Sequence, residues 1–506
     1  MKKIASLLIT ATALATSAQA QEAGLNKIKN VVVIYAENRS FDNLYGMFPG
    51  ADGVQNLKPE QFLQVDRDGK PMANLPASWG GLTAKGATPA ITEDQTAHLP
   101  NAPFQIDAAA GLNLANTVPT RDLWHRFYQE QMQINGGKND KFTAWSDGGG
   151  AVMGYYDGSK LPMWAVAQKY VLADHFYLGA FGGSFLNHFM LVCACVPQYP
   201  DADKGVEKAK ISAVEADGVT LKLAPESPAS ALQGAPKFVN DSQLTPDFYA
   251  VNTMAPPYQP SYVKPAAGQD ATLADLNDPF TLPPQKLTSI GDVLSAKNVP
   301  WAWYAGAWDE ALAGRGMGNK MPNFQAHHQP FNYMVQYAPG TPARSEHLKD
   351  GGMSGAAFLQ DVDSGKLPAV SFYKPQGNLN EHPGYTDELS GDQHIADVIA
   401  HLEKSPQWAN MVVVVTYDEN GGFWDHAAPP KADRWGPGNR VPALIISPFA
   451  KAGTVDHTQY DTTSILRLIT KRWGLDTLEG LKLRDDALKA NNQPPMGDLT
   501  AALKLE

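Results

Sequence analysis

Two short, apolar and β-branched segments constrain the fold of this chain most strongly. Residues 31–35 are Val-Val-Val-Ile-Tyr, and residues 411–417 are Met-Val-Val-Val-Val-Thr-Tyr. Continuous apolar runs of this length are typical of strands that are buried on both faces of a parallel sheet. Further runs of this kind lie at 170–173, 299–304, 368–373 and 441–447. Alternation of such runs with helical patterns predicts an α/β fold, with a mainly parallel sheet and helices on both faces.

The helical patterns define the rest of the organisation. They lie near 120–134, 160–169, 185–195, 287–297, 353–363, 391–404 and 461–473. The segments 50–118 and 203–285 have poor periodicity and many turn-forming residues, although 208–222 carries a hairpin pattern around Asp217-Gly218. We predict one domain over residues 21–506, with these two segments as insertions that cover the rim of the sheet.

The first 20 residues predict export. Lys2 and Lys3 precede an apolar stretch that ends in the cleavage pattern Ala18-Gln19-Ala20, as in a secretory signal peptide. A membrane anchor is the other interpretation, but the stretch is shorter than the roughly 20 apolar residues of a spanning helix. We expect residues 1–20 to be removed, and the mature protein to be periplasmic or secreted without a stable membrane anchor.

The charge of the chain argues against polyanionic partners. The formal net charge is −11, and the sequence shows no basic stripe. An acidic surface disfavours non-specific binding to nucleic acid or to anionic membranes. If the substrate is a phosphate ester, a local positive group must overcome the repulsive field, and a bound cation would supply it. The sequence does not indicate an oligomeric state.

The two cysteines, Cys193 and Cys195, form a C-x-C pair. Export permits disulfides, but two cysteines do not make a disulfide framework. In a helix the two thiols would point in different directions. We therefore expect buried free thiols, and the pair is a weak metal-binding pattern.

Oxygen-bearing side chains follow the two strongest strand patterns. Glu37 and Asn38 come after the first run, and Asp418 and Glu419 follow the second. Because ligands bind beyond the carboxyl ends of strands in open α/β sheets, these four residues are expected to meet at one edge. Either pair alone is also explained by an ordinary turn after a strand. Together the four donors predict a divalent cation, and Ca²⁺, Mg²⁺ or Mn²⁺ suits them better than zinc.

Ser184 is the candidate nucleophile. It follows Gly182-Gly183 and precedes a helical pattern. At a helix N-terminus, free amides and the helix dipole favour negative charge, which suits an alkoxide or a phosphate. On this pattern alone, a plain N-cap serine is the favoured interpretation.

Histidines in polar surroundings are candidates for acid–base chemistry: His125, His327, His328, His382, His426 and His457. A lone histidine is more often a structural residue than a catalytic one. Because histidine titrates near neutrality, it suits protonation of a leaving oxygen or pairing with phosphate. Nitrogen donors from His426 and His457 would shift the metal preference towards zinc, but we expect these two residues to contact phosphate or to support other ligands.

A set of motifs runs in order along the chain, at 37–46 (ENRSFDNLYG), 135–142, 172–176, 183–188, 380–383, 417–426 and 457–466. This set resembles the bacterial phosphoesterase family of phospholipases C and respiratory-burst-inhibiting acid phosphatases. The resemblance covers most of the chain and is weakest in the two insertions. It implies an alkaline-phosphatase-like α/β fold and hydrolysis of phosphate esters.

The resemblance also implies roles for particular residues. Ser184 would be the nucleophile. One divalent metal ion would be held by Glu37, Asn38, Ser184, Asp418 and Glu419. Contacts to the phosphoryl group and the acid for the leaving oxygen would come from His125, His327, His328 and His382.

Two departures from the family pattern favour its acid phosphatase branch. Many phospholipase C members carry threonine where this chain has Ser184. Those members often continue into C-terminal β domains, whereas this chain ends soon after the helical pattern at 461–473. The sequence thus predicts an exported acid phosphatase that hydrolyses small phosphate monoesters through a phosphoserine intermediate.

Two alternatives stay open. The first is a phospholipase C acting on phosphocholine lipids, for which an aromatic choline cage would be needed. Candidates for that cage are Trp145, Trp301, Trp303, Tyr304 and Trp308. The second alternative is a non-catalytic exported protein that binds phosphate ligands.

Overall fold

An eight-stranded β-sheet forms the centre of the protein. The structure is a computed structural model, and it describes residues 24–317 and 323–505. The predicted signal peptide, residues 1–20, lies outside this part of the chain. The strands of the described residues are β1 Asn30–Ala36, β2 Phe104–Gln105, β3 Gly154–Tyr155, β4 Val171–Ala173, β5 Phe176–Tyr177, β6 Trp301–Gly306, β7 Leu348–Gly352, β8 Val370–Lys374, β9 Met411–Tyr417, β10 Ala443–Ile446, β11 Thr454–Asp456 and β12 Tyr460–Asp461.

The large sheet has the order β11-β4-β10-β9-β1-β8-β6-β7. β1 lies inside it and pairs in parallel with both β8 and β9. β10 is antiparallel to β9 and β4, whereas the other pairs in this sheet are parallel. The prediction of a mainly parallel sheet is therefore confirmed. The sequence patterns do not predict the edge strands β7 and β11, because β7 lacks a continuous apolar run and β11 has only three residues, one of them apolar.

The α-helices of the described residues are α1 Phe41–Tyr45, α2 Pro59–Phe62, α3 Glu93–Thr96, α4 Phe127–Ile134, α5 Pro162–Lys169, α6 Ser184–Cys193, α7 Ile290–Ala296, α8 Trp308–Leu312, α9 Pro342–His347, α10 Ala356–Asp363, α11 Glu388–Lys404, α12 Thr463–Trp473 and α13 Glu479–Ala490. Within the part of the chain that is described, none of them has the length and apolar character needed to cross a bilayer.

Helices cover both faces of the sheet. Neighbouring residues of a strand point to opposite faces. Trp303 of β6 stacks on Phe372 of β8, and its ring lies 6.0 Å from that of His188 on α6. Tyr373, the next residue of β8, stacks instead on Phe358 of α10. The helices α6 and α10 therefore lie on opposite faces, as the alternating pattern predicts.

The two predicted insertions carry little regular structure. Residues 50–118 contain only single-turn helices and the two-residue strand β2, and 203–285 contain short 3-10 helices among irregular loops. The hairpin pattern at 208–222 reduces to one antiparallel bridge between Val214 and Leu221. Turn-forming residues dominate both segments, so isolated bridges rather than ladders hold them together.

The expectation of free thiols is wrong. Cys193 and Cys195 form a disulfide. The helix α6 ends at Cys193, and Ala194 adopts a left-handed backbone conformation with a φ of 50°. Because the chain leaves the helix between the two cysteines, the helical geometry that would separate their side chains does not apply.

We predict that Asp392→Asn stabilises the protein in a pH-dependent manner. Burial raises the pKa of Asp392 to about 7. Its Oδ1 accepts the N–H of Met163 at 2.7 Å, and its Oδ2 has no hydrogen-bond partner among the described residues. In the unfolded chain the carboxyl ionises near pH 4, so the folded state loses stability as the pH rises from about 4 to about 7. Asparagine keeps the acceptor and removes the charge.

The free energy of unfolding, measured in urea, should rise by about 1–3 kcal/mol near pH 8 in this variant. The gain should shrink towards pH 4. Asp397→Asn, an exposed position of the same helix, is the control and should show no such trend. An equal gain at both pH values would contradict the assignment to Asp392.

Candidate active site

The carboxyl ends of β1, β8 and β9 place three charged side chains together. Ala36 pairs with Tyr417 in the parallel register of β1 and β9, so Glu37 and Asp418 follow at the same level of the sheet. Lys374 is the last residue of β8, on the other side of β1. All three side chains are fully buried. The strand ends therefore meet as parallel-sheet geometry predicts.

The loops that follow β1 and β9 are bound to each other. The N–H of Asn38 donates to Asp418 Oδ1 at 3.2 Å, and the N–H of Arg39 donates to the carbonyl oxygen of Glu419 at 2.9 Å. Asn38 has a left-handed backbone with a φ of 60°, which asparagine tolerates better than most residues. Its buried side-chain amide has no hydrogen-bond partner among the described residues. The amide oxygen of Asn38 is therefore available as a ligand for a cation.

Ser184 is the first residue of α6, and its Oγ lies 3.5 Å from Glu37 Oε2. Two glycines precede it. Gly182 has a φ of +89°, and a Cβ atom there would lie 2.4 Å from the main-chain nitrogen of Phe127. The chain therefore turns into the helix at a place where only glycine fits. The serine stands in the first turn of a ten-residue helix, whose dipole favours negative charge.

Two of the carboxylates use one oxygen for protein contacts and leave the other available. Glu37 Oε1 lies 2.6 Å from His328 Nε2 and 2.7 Å from Lys374 Nζ, while Oε2 faces α6. Glu419 Oε2 accepts a main-chain N–H two residues further along the chain at 2.5 Å. Its Oε1 has no hydrogen bond within the described residues and lies 3.5 Å from His125 Nε2. One oxygen of each side chain is thus available to a ligand.

His125 and His382 present the same ring nitrogen to the carboxylate centre, by which we mean Glu37, Asp418 and Glu419. His125 Nδ1 lies 2.6 Å from the carbonyl oxygen of Leu123, and His382 Nδ1 lies 2.6 Å from that of Pro383. Because a carbonyl oxygen only accepts, Nδ1 carries the hydrogen in both rings. The Nε2 atoms then face the carboxylates, at 3.9 Å from Glu37 Oε2 in the case of His382.

His327 and His328 lie on the 3-10 helix Ala326–His328 and are buried. One ligand atom from each of Glu37, His327 and His328 lies within 4.8 Å of the others. Neither ring nitrogen of His327 has a hydrogen-bond partner in the described part of the chain.

The structure thus brings together the predicted site residues Glu37, Asn38, His125, Ser184, His327, His328, His382, Asp418 and Glu419. Their catalytic and metal-binding roles stay predictions.

The electrostatics of the centre indicate that the protein alone does not balance its carboxylates. Burial, assisted by the charge of Glu37, raises the pKa of Asp418 to about 7. Burial and the charge of Asp418 raise the pKa of Glu419 well above its usual value. Burial also favours the neutral form of Glu37, but Lys374 and His328 hold its pKa well below the usual range. Buried carboxylates with unused oxygens fit a divalent cation.

Two residues of the centre were missed by the sequence patterns, and each has a different reason. Lys374 ends a predicted strand next to β1, so the strand-end rule would have found it if cations had been sought as well as oxygen ligands. His188 lies on an apolar helix and ends the motif at 183–188, but the sequence patterns assigned no role to it. Its Nδ1 lies 2.7 Å from the carbonyl oxygen of Ser184, and its ring stacks on His328.

A cavity of about 690 Å³ opens above Ser184, and His125, His327 and His382 also line it. The second insertion contributes part of its wall, and other segments contribute Asp122, Trp124 and Tyr385. The lining residues from the second insertion are Gln243, Val251, Asn252, Thr253, Tyr262 and Phe280. The five aromatic residues predicted as a choline cage do not line this cavity. Three of them lie in the buried strand β6. An aromatic wall that binds a cation in this cavity would therefore consist of aromatic residues other than these five.

His426 and His457 do not line the cavity. His426 lies between Asp42 at 2.7 Å and Asp52 at 3.1 Å, and His457 Nδ1 lies 2.8 Å from Asp174. Burial opposes the charged form of His426, but Asp42 and Asp52 raise its pKa to about 10. Its partners are thus aspartates, and the structure gives no support for phosphate contact by either histidine.

Comparison with known proteins gives a family assignment. Residues 28–476 match the Phosphoesterase family. Phospholipase C B of Mycobacterium tuberculosis is 22% identical over 491 residues, which cover 89% of this chain and 74% of that protein. The non-hemolytic phospholipase C of Burkholderia pseudomallei is 29% identical over 204 residues, which cover 34% of this chain and 28% of that protein.

A solved structure from Vibrio parahaemolyticus, described as a protein in the alkaline phosphatase superfamily, is also similar. Its TM-score is 0.32 at 10% identity, over 74% of this chain and 67% of that chain.

The family match includes every strand of the large sheet and all of the predicted site residues. It confirms the family that the ordered motifs predict. The chain therefore belongs to the Phosphoesterase family and is a phosphoric ester hydrolase.

Proposed function

We propose that this protein is an exported phosphatase that hydrolyses small phosphate monoesters, with Ser184 as the nucleophile. The observation that supports this most directly is the position of Ser184 Oγ at the cavity floor, 3.5 Å from Glu37 Oε2 and in the first turn of α6. Export is supported by the signal-peptide pattern at residues 1–20. N-terminal sequencing of protein recovered outside the cytoplasm would check it.

A divalent metal ion would be held by Glu37, Asn38, Ser184, Asp418 and Glu419. The oxygen donors favour Ca²⁺, Mg²⁺ or Mn²⁺, and the nearby nitrogens of His327 and His328 leave zinc open. Such an ion would neutralise the carboxylates and lower the pKa of a bound hydroxyl.

The chain's own residues supply the remaining steps. Ser184 Oγ loses its proton to water and attacks phosphorus, the bond to the leaving alcohol oxygen breaks, and a phosphoserine forms. The Nε2 atoms of His125 and His382 face the cavity, since their Nδ1–H groups donate to carbonyl oxygens. In the doubly protonated ring, which acidic pH favours, Nε2 carries a proton, and either histidine can then give it to the departing oxygen. Water then cleaves the phosphoserine and regenerates the hydroxyl. Most of the rate gain comes from positioning and charge stabilisation.

The size and lining of the cavity support a small substrate. About 690 Å³ lies in the usual range for small-molecule sites, and charged or polar side chains form much of the wall. A phosphate monoester with a compact leaving group fits this space. The acyl chains of a lipid would have to lie outside it.

A phospholipase C is the second candidate. The similarity to proteins named phospholipase C favours it. The cavity wall also combines the carboxylate of Asp122 with the rings of Trp124, Tyr262 and Phe280, and such a combination suits a quaternary ammonium group. The two candidate functions use the same nucleophile, Ser184. They differ in whether the cavity wall must bind the choline group of the substrate.

We predict that Ser184→Ala lowers turnover of p-nitrophenyl phosphate by about a thousandfold or more, because no other hydroxyl replaces the nucleophile. Wild-type protein, quenched in acid during turnover of ³²P-labelled substrate, should carry label at residue 184. Ser345→Ala, an exposed serine of α9, is the control and should keep full turnover and labelling. Full activity in Ser184→Ala would refute the mechanism.

We also predict a preference for the monoester over the lipid-type substrate. Initial rates on p-nitrophenyl phosphate and p-nitrophenylphosphorylcholine should be compared between about pH 4 and pH 9. The monoester should give the higher kcat/KM, and the interpretation as an acid phosphatase expects the maximum on the acidic side. A higher kcat/KM for the choline ester, lost in Asp122→Asn, would favour the phospholipase C instead.

Removal of divalent ions should destabilise the folded protein, because buried carboxylates would lose their compensating charge. We expect EDTA to lower Tm, and Ca²⁺, Mg²⁺ or Mn²⁺ to restore it. Glu419→Gln should weaken the response to the metal. Asp486→Asn, an exposed position of α13, should respond like the wild type. An identical Tm with and without EDTA would argue against a metal at this site.

A further inference from the structure

Lys374 is a buried cation inside the carboxylate centre. Its side chain has no solvent exposure, and neither has that of Glu37 or Asp418. The ammonium Nζ lies 2.7 Å from Glu37 Oε1, 3.4 Å from Asp418 Oδ2 and 3.4 Å from the carbonyl oxygen of Ala36. It also lies 5.1 Å from the centre of the Tyr35 ring. A lysine ammonium has three N–H donors, so its donors match the three oxygens around it.

The position of this ammonium divides the centre into two sides. Glu37 Oε1 faces Lys374, whereas Oε2 faces Ser184. Asp418 Oδ2 lies near Lys374, whereas Oδ1 accepts the N–H of Asn38. Lys374 thus contacts one oxygen from each of the two carboxylates, and on Glu37 that oxygen is the one that does not face Ser184. In two-metal hydrolases a second ion lies about 3.5–4 Å from the first and shares such carboxylates.

The formal charges also indicate that the centre accommodates one divalent ion and not two. Glu37, Asp418 and Glu419 carry three negative charges when ionised, and Lys374 supplies one positive charge in direct contact with two of them. A single divalent ion neutralises what remains. A second divalent ion would leave the buried centre with an excess of positive charge, which is costly away from water.

We propose that Lys374 takes the place of a second metal ion and limits this centre to one divalent cation, while it holds Glu37 with Oε2 towards Ser184. The inference rests on the proposed function only in its assumption that the carboxylates bind a metal. Lys374 is a positioning residue in this proposal, since it acts through the carboxylates and does not line the cavity.

The test measures metal content and spectrum rather than turnover. Mn²⁺ is the probe, because two neighbouring Mn²⁺ ions give a spin-coupled EPR signal and one gives an uncoupled signal. Metal-free protein is titrated with Mn²⁺, and bound metal is counted after gel filtration. Wild-type protein and Lys374→Arg should bind one uncoupled ion. Lys374→Gln, which removes the charge and adds an oxygen donor, should bind a second ion at millimolar Mn²⁺ and show the coupled signal.

Lys366→Gln, at an exposed lysine, is the matched control and should bind one ion. The proposal is overturned if Lys374→Gln folds and still binds one uncoupled ion at every Mn²⁺ concentration. It is also overturned if the wild type binds a coupled pair or no ion. If Lys374→Gln does not fold by circular dichroism, the wild type decides: one uncoupled ion supports the proposal and a coupled pair overturns it. Failure of Ser184 labelling would refute the proposed mechanism without changing these counts, so the two failures are distinguishable.

Discussion

The charge balance around three buried carboxylates governs the architecture of the site. Glu37, Asp418 and Glu419 converge because β1 and β9 pair in parallel and in register. β1 ends one residue before Glu37, and β9 ends one residue before Asp418, which Glu419 follows. Burying ionised carboxylates without partners costs several kcal/mol for each group. The surrounding structure offsets part of this cost through Lys374 and His328 at Glu37, and through main-chain N–H groups at Asp418 and Glu419. The part of this burial cost that these contacts do not offset is the electrostatic reason to expect a bound cation.

The sequence predicted the parts of this site that follow from regular geometry. Two apolar runs fix two buried strands, and the rule that ligands bind beyond strand ends then places Glu37 next to Asp418 without any contact information. Ser184 follows from a Gly-Gly pair before a helical pattern. The histidines are different, because their convergence depends on loops whose path no periodicity specifies. Their assignment came from the family resemblance, and only the structure places their Nε2 atoms.

The other differences between the sequence-based predictions and the structure also have physical reasons. The disulfide was missed because helical geometry was assumed for both cysteines, whereas α6 ends at the first of them. The strand β7 was missed because its sequence, Leu-Lys-Asp-Gly-Gly, lacks the apolar run of an inner strand. The aromatic cage was misplaced because core packing and ligand binding favour the same residue types. The walls of the cavity come partly from the second insertion, so the features that choose between substrates lie where sequence patterns are weakest.

The two glycines before Ser184 have an evolutionary consequence. A side chain at position 182 would collide with the backbone of Phe127, and one at position 183 would come within 2.8 Å of the carbonyl oxygen of His125. These obstacles are main-chain atoms, which cannot rotate away as a flexible side chain can. Substitution at these two positions is therefore opposed by main-chain atoms, whereas an exchange of Ser184 for threonine would keep a hydroxyl at the place of the nucleophile. A lineage could thus alter its nucleophile more easily than the bend that presents it.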